Sequence, residues 1–352
     1  MRVPSSAAHN RWHPDLEPVA TVAPGEELTL DTRDGIDGQL TQESTHADVL
    51  DLDLGLGHPL TGPVFVEGAE PGDVLVVELA GYETADFGVT AVIPGFGFLS
   101  DVFADPYLVK WEIGGGVARS EELPGVAVPE AAFAGVVGVA PSPALMEEFR
   151  RREQEIADRG GPVAESMPER AFPPSAAAGL RTIPPRETGG NMDVRGLVAG
   201  SRLLLPVHVR GALFSIGDLH FAQGDGEVCG TGIEIAGAAT VRFEVRKDPA
   251  WRSRYPAYET PGRRVARSFA TTGIPVRDPM DLNVAAREAL LEMIGYLEAA
   301  HGLARPAAYA LCSAVVDLHL SEVVDIPYPL VSALLPLDVF AKHWGDPIPE
   351  GG

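Results

Sequence analysis

Glycine and proline interrupt this chain so often that long uninterrupted helices have little room. There are 39 glycines and 31 prolines among 352 residues, roughly 20% together against a usual ~12%. They fall between short apolar runs: Glu27-Leu28-Thr29-Leu30 precedes DTRDGIDG, Pro63-Val64-Phe65-Val66-Glu67 precedes GAEPGD, and the run over 74–79 follows Pro71-Gly72-Asp73. Apolar runs of this length between turn formers read as strands. A helical bundle is excluded, and a turn-rich β protein is expected.

The pattern changes at residue 143. A helix is expected over 145–156, followed by the stretch PERAFPPSAAAGLRTIPPRETGG, which cannot build a core by itself. The expected organisation is a β-rich part over 1–142, a connection over 143–190 and a third part over 191–352. That last part reads as strands over 201–209 and 241–245, then a helix over 281–300. Its Leu282, Ala285, Ala286, Ala289, Leu290, Met293 and Leu297 recur at helical spacing, with Asp281 as N-cap and Gly302 as terminator. The apolar segment 309–324 is expected to be buried, as helix or strand.

Charge limits the partners. With 27 basic and 50 acidic side chains the net charge is −23, so phosphate repels the chain at long range, and nucleic acid and anionic membrane are not expected partners. Two cysteines, Cys229 and Cys312, are too few for a disulfide framework or a zinc ribbon. Residues 1–20 lack the apolar run of a secretory signal, and the longest uncharged stretch, 131–146, is too short and too interrupted to span a bilayer. A cytoplasmic protein is expected.

The chemistry concentrates in FSIGDLHFAQGDGEVCGTGIE, residues 214–234. Alternation in a strand sends Asp218 and His220 to one face. A three-residue loop at Gly224-Asp225-Gly226 would pair Gln223 with Glu227, set His220 opposite Gly230 and Asp218 opposite Gly232, and bring Glu234 to the same face. A two-residue turn would send Glu234 to the other face. Two readings have equal weight on spacing alone: an Asp/His/Glu site for a divalent metal with an open position for water, or a polar hairpin whose Asp218 caps a turn. The turn from Asp31 to Gln39 carries three carboxylates, but Arg33 stands where a calcium loop needs an oxygen ligand, so plain turn chemistry is the simpler reading. Gly189-Gly190-Asn191-Met192-Asp193 either exposes backbone N–H groups to an anion or simply enters a strand. His9, His13, His46, His58 and His208 have no second ligand nearby in sequence. Cys229 falls on the face opposite Glu234 and reads as a buried thiol.

Taken in order, TRDGIDGQ, HPLTGPVFVEGAEPGDVL, IPGFGFL with a later Lys110-Trp111, FAGVVGVAPSP, GGNMDVRGL, the 214–234 segment and AYALCSAVVDLHLSEVVDIPYPLVSALLPLDVF resemble the acetamidase/formamidase family from about Asp31 to about Phe340. PGFGFL and RREQEIADRG resemble its longer formamidase branch. The resemblance implies hydrolysis of formamide or acetamide to the acid and ammonia. It also implies a β-rich α+β fold, namely a jelly-roll-like β-sandwich with additional α/β elements and a C-terminal helix, often in homo-oligomers. A bound divalent metal is implied too, zinc first, with calcium or another divalent ion as alternatives.

On that basis Asp218, His220 and Asp34 are the expected metal ligands. Glu234 is the expected base with Glu227 next, and Asn191 or a backbone N–H near Gly190 the oxyanion donor. Asp193, Gly190, Gly230 and Gly232 are expected around the substrate. Phe133-Ala134-Gly135 and Thr231-Gly232-Ile233 depart from the family's usual residues, which bears on pocket size. A cysteine amidase using Cys229 and a non-catalytic β-sandwich with a structural ion are the competing readings.

Overall fold

Strand punctuation dominates the computed structural model, which describes residues 1–159, 163–247, 256–259, 268–273, 281–322 and 330–340. The VVDIPYP portion of the last family-like segment, 323–329, lies outside the described residues. The architecture is β-rich with three α-helices among the described residues. One six-stranded sheet runs Arg2–Val3, Glu27–Thr32, Gly237–Arg246, Val74–Thr84, Arg202–Pro206, Ala257–Glu259. An eleven-stranded sheet carries Phe87–Val92, Glu234–Ile235, Phe214–His220 and Phe133–Val139 as successive neighbours near its middle. Both sheets draw strands from before and after the 143–190 stretch.

Local pattern explains the faces. Glu27–Thr32 alternates exposed or half-buried with buried positions, Leu28, Leu30 and Thr32 pointing inward. One apolar cluster joins the inner faces, with Leu28, Leu75 and Val241 from the first sheet meeting Phe133, Ile216 and Leu219 from the second. Phe214–His220 is different, because all seven residues are buried. A strand covered on both faces normally reads as a continuous apolar run, so Asp218 and His220 inside it need another explanation than solubility.

The helices follow their caps. Helix α1, Pro143–Asp158, starts on Ser142, whose hydroxyl accepts the Leu145 N–H at 3.3 Å. Helix α2, Leu282–His301, has the Asp281 carboxylate accepting from Asn283 and Val284 N–H at 2.8 and 3.1 Å, and it ends on Gly302 at φ 68°. The buried segment after residue 304 is both helix and strand: helix α3, Arg305–Val315, is entirely buried from Ala307 onward, and Asp317–Glu322 then joins the three-stranded sheet with Leu330–Pro336 and Ser268–Gly273. The 143–190 stretch is laced to the N-terminus, since Leu180 pairs with Trp12, and Arg11 donates to the Ser166 and Met167 carbonyls.

The tight hairpin expected at Gly224-Asp225-Gly226 does not form. His220 pairs with Glu234 and Leu219 with Ile235, so residues 221–233 make a long loop. The register differs from the expected one by four residues, an even number, so the faces are preserved and Glu234 still arrives beside His220.

Candidate active site

His220 lies at the end of its strand between Phe133 on one side and Glu234 on the other. The Phe133 ring meets the imidazole edge-on at 5.1 Å between centroids. Around Nε2 stand Glu234 Oε1 at 3.1 Å, Asp218 Oδ1 at 3.5 Å and Glu227 Oε1 at 3.7 Å. Asp193 completes the ring: its carboxylate groups with His220 and Glu227, as those of Asp218 and Glu234 group with His220, all donor atoms of each trio within 4.8 Å of one another.

Backbone geometry makes this convergence possible. Asp193, Asp218 and Glu227 all have positive φ, at 47°, 55° and 39°. L residues seldom adopt that region and each such position costs about 1–3 kcal/mol. Three carboxylates held this way in one place mark a site the surrounding fold imposes. Two glycines make room. A Cβ at Gly135, the residue facing Asp218 across the sheet, would overlap Asp193 Oδ1 and lie 2.7 Å from Asp218 Oδ2. One at Gly35 would overlap Asp218 Oδ1 and lie 3.0 Å from Glu234 Oε2.

Burial and mutual repulsion set the electrostatics of the cluster. Burial pushes Glu234 up to about 8, with the Asp218 charge adding to it against the pull of His220. Burial, then the Asp218 charge, pushes Asp193 up to about 7. Glu227 is raised well above its ordinary value by burial and by Asp193. Burial also opposes the Asp218 charge, but His58 and His220 outweigh it and hold that carboxyl low. His220 is raised, since Glu234 and Asp218 overcome its desolvation. Four carboxylates beside one buried imidazole cannot all ionise without a compensating cation. His220 Nε2, Glu234 Oε2 and Asp193 Oδ1 are buried without hydrogen-bond partners, and they belong to the two groups here that could hold a metal ion. The donor set, one imidazole and carboxylate oxygens, suits a divalent cation.

A cavity of about 100 Å³ opens beside the cluster, small against the ~300–1,000 Å³ of clefts for drug-sized ligands. Its polar wall carries Asp218, Glu227, Glu234, Asn191 and His58, and its apolar wall Ile36, Leu54, Ile93, Phe96 and Ile183.

Of the residues expected from sequence, Asp218, His220, Glu234, Glu227 and Asp193 are together, and Asn191 and Gly230 line the cavity. Gly232 sits against the ring, where a Cβ would be 3.0 Å from His220 Nδ1, and its N–H donates to Glu234 Oε1 at 2.8 Å. Gly190 is elsewhere, paired with Val137 and not lining the cavity. Asp34 lies near enough to Asp218 to feel its charge but is not grouped with the other expected donors. Its Oδ1 accepts the N–H groups of Ile36 and Gly38 at 3.1 and 2.9 Å, closing its own turn, and it belongs to none of the donor groups among the described residues. Cys229 Sγ faces the Ala91 carbonyl at 3.6 Å and Thr231, and burial pushes the thiol up to about 11, which disfavours a thiolate nucleophile.

Sequence reasoning missed His58, whose backbone N–H donates to Thr182 Oγ1 at 2.8 Å and whose side chain lines the cavity. It also missed Gln223, whose Oε1 lies 2.5 Å from His220 Nδ1. Neither has a local sequence signal, because the partner that gives each its meaning comes from another element or through the unexpected loop.

Carboxylates and an imidazole at the wall of a small cavity form a site equipped for acid–base chemistry, and comparison with known proteins makes the chain an amide hydrolase. The profile of the Acetamidase/Formamidase family matches residues 2–342, and the chain belongs to that family. It is 35% identical to the formamidase of Methylophilus methylotrophus, covering 94% of this chain and 89% of the relative. It is 37% identical to the acetamidase of Mycolicibacterium smegmatis over 70% of this chain and 68% of the relative. Among solved structures, the gamma lactamase from Delftia acidovorans superposes with a TM-score of 0.91 at 35% identity, covering 98% of this chain and 92% of that one. The acetamidase from Bacillus halodurans superposes with a TM-score of 0.60 at 27% identity, covering 96% and 97%.

Proposed function

We propose that the chain hydrolyses formamide or acetamide to the acid and ammonia at the His220 cluster, with a divalent ion, zinc first, held by Asp218, His220 and Glu234. The observation that carries this reading is the set of unpartnered buried donors, His220 Nε2 and Glu234 Oε2 beside the Asp218 carboxylate, with Asp218 and Glu234 lining a cavity suited to a molecule of a few heavy atoms. When bound, such an ion lowers the pKa of water and polarises a carbonyl.

Glu227 then takes the role first expected of Glu234. It lines the cavity, and its raised pKa suits a group that accepts a proton from attacking water and returns it to the departing amine. Glu234, whose Oε1 is fixed by the Gly232 N–H, is better placed to hold than to shuttle. Asn191 presents its amide to the cavity, where it stabilises charge developing on the carbonyl oxygen. The apolar wall receives the short acyl group. A homo-oligomer in the cytoplasm, where the buried free thiols of Cys229 and Cys312 stay reduced, completes the proposal.

The likeness to a gamma lactamase over nearly the whole chain favours a second reading, in which a five-membered cyclic amide enters the same cavity. The test is ammonia release from formamide, acetamide and longer amides, and ring opening of a γ-lactam, each before chelation, after it and after zinc add-back. Activity lost on chelation and restored by zinc supports the proposal. Full activity after the ion is removed, or inactivation by thiol alkylation alone, refutes it.

A further inference from the structure

We infer that Gln223 is a positioning residue that fixes which nitrogen of His220 faces the carboxylates. The inference rests on the divalent-ion reading of the site. Gln223 is buried, and its side-chain amide stands between two fixed groups. Its Nε2 donates to the Asp193 carbonyl at 3.1 Å. A backbone carbonyl only accepts, so the amide is oriented with its NH₂ end toward Asp193 and its oxygen toward His220. At 2.5 Å from that oxygen, His220 Nδ1 must be the nitrogen that carries the hydrogen. In the neutral imidazole Nε2 is thereby left as the lone-pair nitrogen, the form that can ligate a cation, and it is aimed where Asp218, Glu227 and Glu234 converge.

The amide also ties together two segments distant in sequence, the one carrying Asp193 and the one carrying Asp218, His220 and Glu227. Its own place is held from helix α3, since the N–H of the next residue, Gly224, donates to the Ser313 carbonyl at 2.9 Å. Leu219 and Phe221, which flank His220 in sequence, are apolar core and offer Nδ1 no acceptor side chain.

The experiment measures zinc binding isotherms of the purified chain, stripped of metal, for wild type, Gln223→Met and Gln223→Glu, and the Nδ1-bound proton of His220 by ¹⁵N-edited NMR in the zinc-loaded wild type. Met fills similar space without an acceptor, and zinc affinity should fall ~10–100-fold. Glu keeps an acceptor for Nδ1–H but gives up the bond to Asp193, and should stay within a few-fold of wild type. An exchange-protected Nδ1–H resonance is expected. A Met variant that binds zinc like wild type, or a Glu variant that loses as much as Met, overturns the inference, the second because it reduces Gln223 to a brace for Asp193. A zinc-loaded wild type whose proton sits on Nε2 overturns it without any variant. Failure of wild type to take up zinc refutes the divalent-ion reading, and the inference with it, separately from any variant.

Discussion

Gly135 and the carboxylates around it show how one missing methyl group shapes the chemistry. The residue faces Asp218 from the neighbouring strand, and the volume a Cβ would take is filled by the oxygens of Asp193 and Asp218. Gly135→Ala should therefore leave the sheet intact and displace two carboxylates by a fraction of an ångström to an ångström. Because a misplacement of that size costs on the order of 100-fold in rate, amide hydrolysis should fall by about that factor while circular dichroism stays unchanged. Wild-type rates in the Ala variant would show that the two carboxylates need no fixed geometry. The same residues predict how stability depends on pH once the ion is chelated. Glu234 and Asp193, held at about 8 and about 7 in the fold against ordinary values of 4.5 and 3.8, keep protons that the unfolded chain has released. Each contributes stability that is present below its unfolded pKa and lost as pH climbs through 7 and 8. His220, raised above 6.5, acts with the same sign, whereas Asp218, held low, matters only in acid. The melting temperature of chelated protein should thus fall from about pH 4 to about pH 8, and Glu234→Gln should flatten that fall. A chelated protein equally stable across this range would contradict the assignment.

At the scale of elements, helix α3 is the part that makes the site loop what it is. The Tyr309 hydroxyl accepts the Leu99 N–H at 2.9 Å and donates to the Val228 carbonyl, joining the PGFGFL loop to the 221–233 loop. Ser313 Oγ accepts the Cys229 N–H at 3.1 Å and donates to the Thr231 carbonyl. Tyr309→Phe strands the buried Leu99 N–H, while the Val228 carbonyl keeps the Phe98 N–H at 2.9 Å, so the chain should lose about 1–3 kcal/mol in denaturant unfolding. KM for amides should also rise, because Phe96 and Gly230, which line the cavity, lie on the two loops this hydroxyl braces. Unchanged stability in this variant would remove α3 from its role as clamp.

The same clamp explains what was legible in the sequence. Helix α2 could be read because Asp281, the apolar spacing and Gly302 are local signals that the fold obeys, and Glu27–Thr32 because alternation alone sets its faces. Residues 221–233 could not. Gly224-Asp225-Gly226 carries ordinary hairpin chemistry, while the path actually taken is set by Tyr309 and Ser313, some eighty residues onward. Asp218, His220 and Glu234 come together as their shared face implies because the difference in register is even. Positive φ at Asp193, Asp218 and Glu227 has no sequence signal, and His58 acquires its meaning only beside Asp218.

For the whole molecule, the net charge of −23 acts differently on the two small molecules the site is proposed to take. A neutral amide feels no long-range force from it, so its encounter rate is indifferent to screening. A divalent cation is drawn in by the same field, and steering of this kind weakens as added salt shortens the Debye length from ~30 Å at 0.01 M to ~10 Å at 0.1 M. The field therefore separates loading from turnover. Zinc uptake by the stripped chain, followed by stopped flow, should slow on the order of tenfold over that range in a non-coordinating salt. For the fully loaded protein, kcat/KM toward formamide should vary less than about twofold over the same range. A formamide kcat/KM as salt-sensitive as zinc uptake would mean that a charged species, not the neutral amide, is what the cavity receives.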